Sequence, residues 1–71
     1  MRKDNMKKRK LTTEDKRIIQ MKADGFTDKE IAYNLNVALA TYRYRYNRLL
    51  LKLDALNAPN LVYIACQKKI L

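Results

Sequence analysis

The apolar positions of this chain recur at helical rather than strand spacing, and the pattern with its punctuation marks four segments. In the first, Ile18, Ile19 and Met21 form the inward side of a helix running to about Ala23. Leu11-Thr12-Thr13-Glu14-Asp15 reads as its start. Thr12 can cap, Asp15 stands three places on, and two acids occupy the first turn, where the helix dipole favours negative charge. Asp24-Gly25 supplies the stop, because Gly25 takes the positive φ of a helix exit without a Cβ clash, and Phe26 is placed to staple the next turn.

Thr27-Asp28-Lys29-Glu30 is a capping box, with the Thr27 hydroxyl on the Glu30 amide and the Glu30 carboxylate returning to the Thr27 amide. It opens a short second helix that turns Ile31, Ala32 and Leu35 toward the core, ends near Asn36 and leaves Val37 and Ala38 as a tight connection. The third segment is ambiguous locally, since Tyr42-Arg43-Tyr44-Arg45-Tyr46 alternates with period two and aromatics favour strands. Length decides for a helix: from Leu39 to Leu53 there is no glycine, proline or turn cluster, and Tyr42, Tyr46, Leu49, Leu50 and Leu53 share one helical stripe. The opposite face carries Arg43, Tyr44, Asn47 and Arg48, with Leu51 an unexplained apolar residue among them. In the fourth segment Asn57 is the expected cap and Pro59 falls in the first turn, where a missing N–H costs nothing. Leu61, Ile64 and Ala65 make one apolar stripe, and Val62, Tyr63 and Cys66 a second that a domain this small cannot also bury. That second stripe is expected to pack on a partner, most simply an identical chain about a two-fold axis.

Composition narrows the class. At 71 residues there is room for one domain only, and the expected architecture is all-α. Zero histidines and one cysteine, Cys66, leave no Ser-His-Asp triad, no Cys/His pair and no ordinary zinc site, so the expectation is a non-enzyme without metal or cofactor. A lone cysteine and the absence of an apolar leader point to a reducing cytoplasm, and no apolar run is long enough for a membrane span.

The 16 basic residues exceed the 7 acidic ones by nine, and the excess sits in two places. Residues 1–10 carry a net +5 with no apolar periodicity, expected as a flexible basic arm preceding the domain at 11–71. Residues 41–53 carry Arg43, Arg45, Arg48 and Lys52 with no acid, a net +4 on a single helix. Such a distribution is the electrostatic footprint of a polyanion binder, because neutralised phosphates release condensed counterions. The other reading of the same charge is a solvated face and a solubilising tail.

The spacing of these residues resembles the LuxR/GerE class of bacterial helix-turn-helix transcription regulators. The match is carried by Leu11-Thr12, the stretch Ala23-Asp24-Gly25-Phe26-Thr27-Asp28-Lys29-Glu30-Ile31-Ala32, Leu35, Thr41, Lys52-Leu53, Asn57, and Leu61-Val62 through Ala65. The resemblance implies a four-helix domain whose third helix reads double-stranded DNA and whose fourth makes a homodimer. Carried over by position, base reading falls on Arg43, Tyr44 and Asn47 and phosphate contact on Thr27, Lys29, Thr41, Arg48 and Lys52; the second apolar stripe of the fourth helix, Val62, Tyr63 and Cys66, is the expected dimer interface. Three positions depart from the family pattern. Ala38 stands where a capping serine is usual, and Tyr42 and Arg45 replace a small aliphatic residue and a histidine. Larger relatives carry a receiver or sensing domain ahead of this one, so the expectation here is a stand-alone, nucleoid-associated regulator. Two rivals remain open: a sigma-like or phage-type module docking on RNA polymerase or another partner, and a pure interaction protein whose tyrosines and fourth helix form the contact surface.

Overall fold

A computed structural model describes residues 11–70; the expected basic arm at 1–10 lies outside the described residues. The architecture is all-helical: α1 spans Thr13–Ala23, α2 Asp28–Leu35, α3 Leu39–Leu53 and α4 Ala58–Gln67. Each predicted start is found. Thr12 and Asp15 exchange amide and side-chain bonds at 3.0 Å each, a complete capping box at α1. Thr27 and Glu30 do the same at α2, with bonds of 2.8 and 3.2 Å. At α4 the Asn57 side chain accepts from the Asn60 amide at 2.9 Å, while the Asn60 side chain accepts from the Leu56 amide at 2.9 Å. The start of α3 is the exception, because Ala38 has no side chain to offer its amides.

The helix exits share one device, although only one of them has a glycine. After α1, Gly25 at φ 91° lets its own amide reach the Lys22 carbonyl and that of Phe26 reach the Met21 carbonyl, the paired closure of a Schellman motif. Asn36, Asp54 and Lys69 repeat this after the other helices, with φ near 60° in each. Asparagine and aspartate tolerate that left-handed conformation better than other side chains do, whereas Lys69 takes it at a cost of about 1 kcal/mol.

The core draws on every helix: Ile18 and Ile19 from α1, Ile31 and Ala32 from α2, Tyr42, Leu49 and Leu53 from α3, and Leu61 and Ala65 from α4. Within it α2 packs against α3 across a three-residue turn, and α1 packs against α4. Of the predicted stripe on α3, Tyr42, Leu49 and Leu53 are buried, while Tyr46 and Leu50 lie half-buried at its edges. Phe26, expected to staple the next turn, is 37% exposed, and its backbone amide closes α1 on the Met21 carbonyl.

Gly25→Ala is expected to destabilise the domain by about 1–2 kcal/mol, the cost of a Cβ in the left-handed region. Nothing lies within 4 Å of the added methyl, so the loss is conformational. Equilibrium urea denaturation checks this; an unchanged midpoint would show that the turn relaxes to negative φ.

Candidate nucleic-acid interface

The two faces of α3 differ as sharply as its sequence pattern requires. Its inner stripe is locked into the core, and Thr41, Arg43, Tyr44, Asn47 and Arg48 are all exposed on the outer side. Leu51 stands with them, 75% exposed. The Arg48 guanidinium lies 5.9 Å from the centre of the Tyr44 ring, which orients both side chains without an acidic partner. Thr27 and Lys29 are exposed in the N-cap and first turn of α2, so the expected phosphate contacts on that helix are also open. Thr27 accepts the Glu30 amide with its hydroxyl oxygen and keeps its own O–H to donate.

The four cations of α3 divide into two pairs. Arg45 donates to Glu14 Oε2 at 2.7 Å, and Lys52 donates to Asp15 Oδ2 at 2.6 Å. Both acids belong to the first turn of α1, so these pairs fasten the flank of α3 to the start of another helix. The Arg45 pair is half-exposed and of small energetic weight, whereas Lys52 and Asp15 have side chains only 17% and 9% exposed. Asp15 also accepts the Thr12 amide on the same oxygen. Lys52, expected on phosphate, thus has a structural job that its position in the sequence does not reveal. Among the described residues, Arg43 and Arg48 are not ion-paired.

A second cluster fastens the opposite flank. Asp28, at the start of α2, accepts from Lys22 at 2.7 Å and from the Tyr42 hydroxyl at 3.1 Å. Tyr42 stacks on Tyr46 with ring centroids 5.8 Å apart, and the Lys22 ammonium sits 5.2 Å from the Tyr46 ring. The bond from Lys22 holds the Asp28 carboxyl below its ordinary value of 3.8, outweighing partial burial, and the Tyr42 bond acts in the same direction. Burial, followed by the charge and hydrogen bond of Asp28, pushes the Tyr42 phenol upward. Burial likewise raises Tyr46, with Lys22 opposing it.

On α4, Leu61 and Ala65 are buried and Ile64 half-buried, which is the predicted inner stripe. Val62 is half-buried, and Tyr63 and Cys66 are exposed. The three expected interface residues therefore leave two side chains open on the side of α4 away from the core. No single described helix is long and apolar enough to cross a membrane.

A three-residue turn joining α2 to α3, whose outer face is exposed, with α1 and α4 completing the core, is the helix-turn-helix arrangement. A family model described as bacterial regulatory proteins, luxR family, matches residues 9–65, and the chain belongs to that family, whose helix-turn-helix domains bind DNA. No curated protein and no solved structure matches the chain.

Two outcomes follow from the ion pairs. Lys52→Met removes the partner of a nearly buried carboxylate and is expected to cost on the order of 3 kcal/mol in urea denaturation. A loss below about 0.5 kcal/mol would mean that Asp15 is adequately solvated without it. For Asp28 the folded-state pKa is depressed, so its stabilising contribution is present above the ordinary value of 3.8 and is lost as pH falls through the lower folded value. Thermal melts from pH 6 down to pH 2 should show a decline that Asp28→Asn makes shallower, and parallel curves would show that the Asp28 carboxylate does not contribute to acid stability.

Proposed function

We propose that this chain is a sequence-specific, DNA-binding transcription regulator that lays α3 in the major groove as a homodimer. The observation that carries the reading is the outer face of α3, where Arg43, Tyr44, Asn47 and Arg48 stand exposed while the inner face is locked in the core. An amphipathic helix with guanidinium and amide groups outward has the width and chemistry of a major-groove reader. Arg43 suits guanine O6 and N7 in bidentate fashion, Asn47 suits adenine N6 and N7, and Tyr44 offers a ring edge to a thymine methyl. Each well-made base contact is worth about 1–3 kcal/mol of discrimination.

Thr27, Lys29, Thr41 and Arg48 are assigned to phosphates on either side of the groove. Lys52 is left out of that set, because its ammonium is held by Asp15. The dimer is assigned to α4 through Val62, Tyr63 and Cys66, which places two half-sites about one helical turn, ~10 bp, apart. The regulator acts in the cytoplasm on the nucleoid and binds no cofactor, and its activity is set by abundance or by a protein partner such as RNA polymerase.

A second reading has a specific observation in its favour. Tyr33 and Leu56 are each about 85% exposed and Leu51 is open on α3, more apolar surface than DNA contact needs. In that reading the domain is a sigma-like or phage-type module docking on RNA polymerase or another partner, with DNA contact secondary.

Selection on randomised duplexes separates them. The regulator reading expects enrichment of a palindromic motif with half-sites about 10 bp apart, and the docking reading expects none. Arg43→Ala should relax preference at one base position, whereas Arg48→Ala should weaken all duplexes alike and reduce the salt slope by about 1. Equal losses on selected and random duplex for both variants would overturn the division between base and phosphate roles.

A further inference from the structure

The end of α3 that would enter the groove is the one helix start without a capping side chain, since Ala38 leaves its first amides to solvent. Local structure therefore does not fix its orientation, and burial alone fixes it poorly. The hydrophobic effect is non-directional, so an aliphatic side chain at position 42 would be satisfied over a range of helix rotations. Tyr42 is different: its side chain is fully buried, and a buried phenol requires a hydrogen-bond partner in a defined direction.

That partner is Asp28, in the first turn of α2, with the Tyr42 hydroxyl 3.1 Å from its Oδ1. The same oxygen is held by Lys22 at 2.7 Å, and Lys22 in turn lies over the Tyr46 ring on which Tyr42 stacks. The cluster closes on itself through α1, α2 and α3, so Tyr42 cannot rotate about the axis of α3 without breaking its charge-assisted bond to Asp28 and drawing the stacked Tyr46 ring away from the Lys22 ammonium. Arg43 is its immediate neighbour and Asn47 follows one turn later, so any rotation of this stretch swings both outward groups together.

We propose that Tyr42 is a positioning residue for base reading: its hydrogen bond to Asp28 fixes the rotation of the first two turns of α3 and so determines which base edges Arg43 and Asn47 reach. The proposal rests on the DNA-reading assignment above. Tyr42 itself touches no base, and its action is through the helix that carries the readers.

The test compares affinity for the best selected duplex with affinity for a random duplex, each variant being held below its melting transition as followed by circular dichroism. Tyr42→Phe keeps the ring and the charge and removes only the hydroxyl. It is expected to lower the selected-to-random ratio about tenfold, the discrimination of one well-made base contact, while random-duplex affinity and its salt slope stay as in the wild type. Asp28→Ala should lower the ratio to the same extent, and the double variant no further, because both remove one interaction. Asp28→Asn, whose amide oxygen still accepts the hydroxyl, should keep the ratio. A purely structural role would move the melting temperature and leave the ratio alone, and an unchanged ratio in folded Tyr42→Phe overturns the proposal. A wild-type protein that binds all duplexes alike overturns the base-reading assignment itself, and the role of Tyr42 with it.

Discussion

Carboxylates placed at two helix starts hold α3, the helix proposed to read DNA. Asp15 and Glu14, in the first turn of α1, take Lys52 and Arg45, and Asp28, at the first position of α2, takes Lys22 and the Tyr42 hydroxyl. Each acid has a reason to be there before any tertiary contact forms, because a helix N-terminus favours negative charge. Packing then brings α3 between them, and the same charges become its lateral ties. The least exposed of the three is Lys52 with Asp15, where loss of either partner strands the other in a poorly solvated site.

This arrangement sorts the charge of α3. Four cations without an acid on one helix would give a strongly basic surface, yet two of them are matched by acids from α1. What stays open is Arg43 and Arg48, on the side that also carries Tyr44 and Asn47. Charge that could bind any polyanion is in part consumed in holding the helix, and the remainder stands beside groups that hydrogen-bond to particular base edges. The departures from the family pattern at Tyr42 and Arg45 make two of these ties, and the one at Ala38 leaves the start of the helix without a capping side chain.

Much of the fold was legible in the chain because its signals are local. Thr12 with Asp15, Thr27 with Glu30, and Asn57 each mark a helix start within four residues, and the apolar stripe of α3 settled helix against strand where the tyrosine-arginine alternation misled. The left-handed exits at Asp54 and Lys69 were not legible, since neither residue type signals that conformation as glycine does. The outer face of α3 could be read from periodicity, which reports the direction in which a side chain leaves the helix. Periodicity is silent on what meets the side chain there. Arg45 and Lys52 find acids 31 and 37 positions away, and nothing short of packing α1 against α3 brings them together. Lys22 offered no signal either, yet it links Asp28 to the Tyr46 ring.

If α3, held by those acids, is the surface that meets a duplex, titration of isotopically labelled protein with a short duplex at low salt will show it in the backbone amide shifts. Changes are expected to concentrate at Arg43, Tyr44, Asn47 and Arg48 and around Thr27 and Lys29, with the inner stripe of α4 little moved. Shifts confined to α4, or none at low salt, would contradict that role of α3.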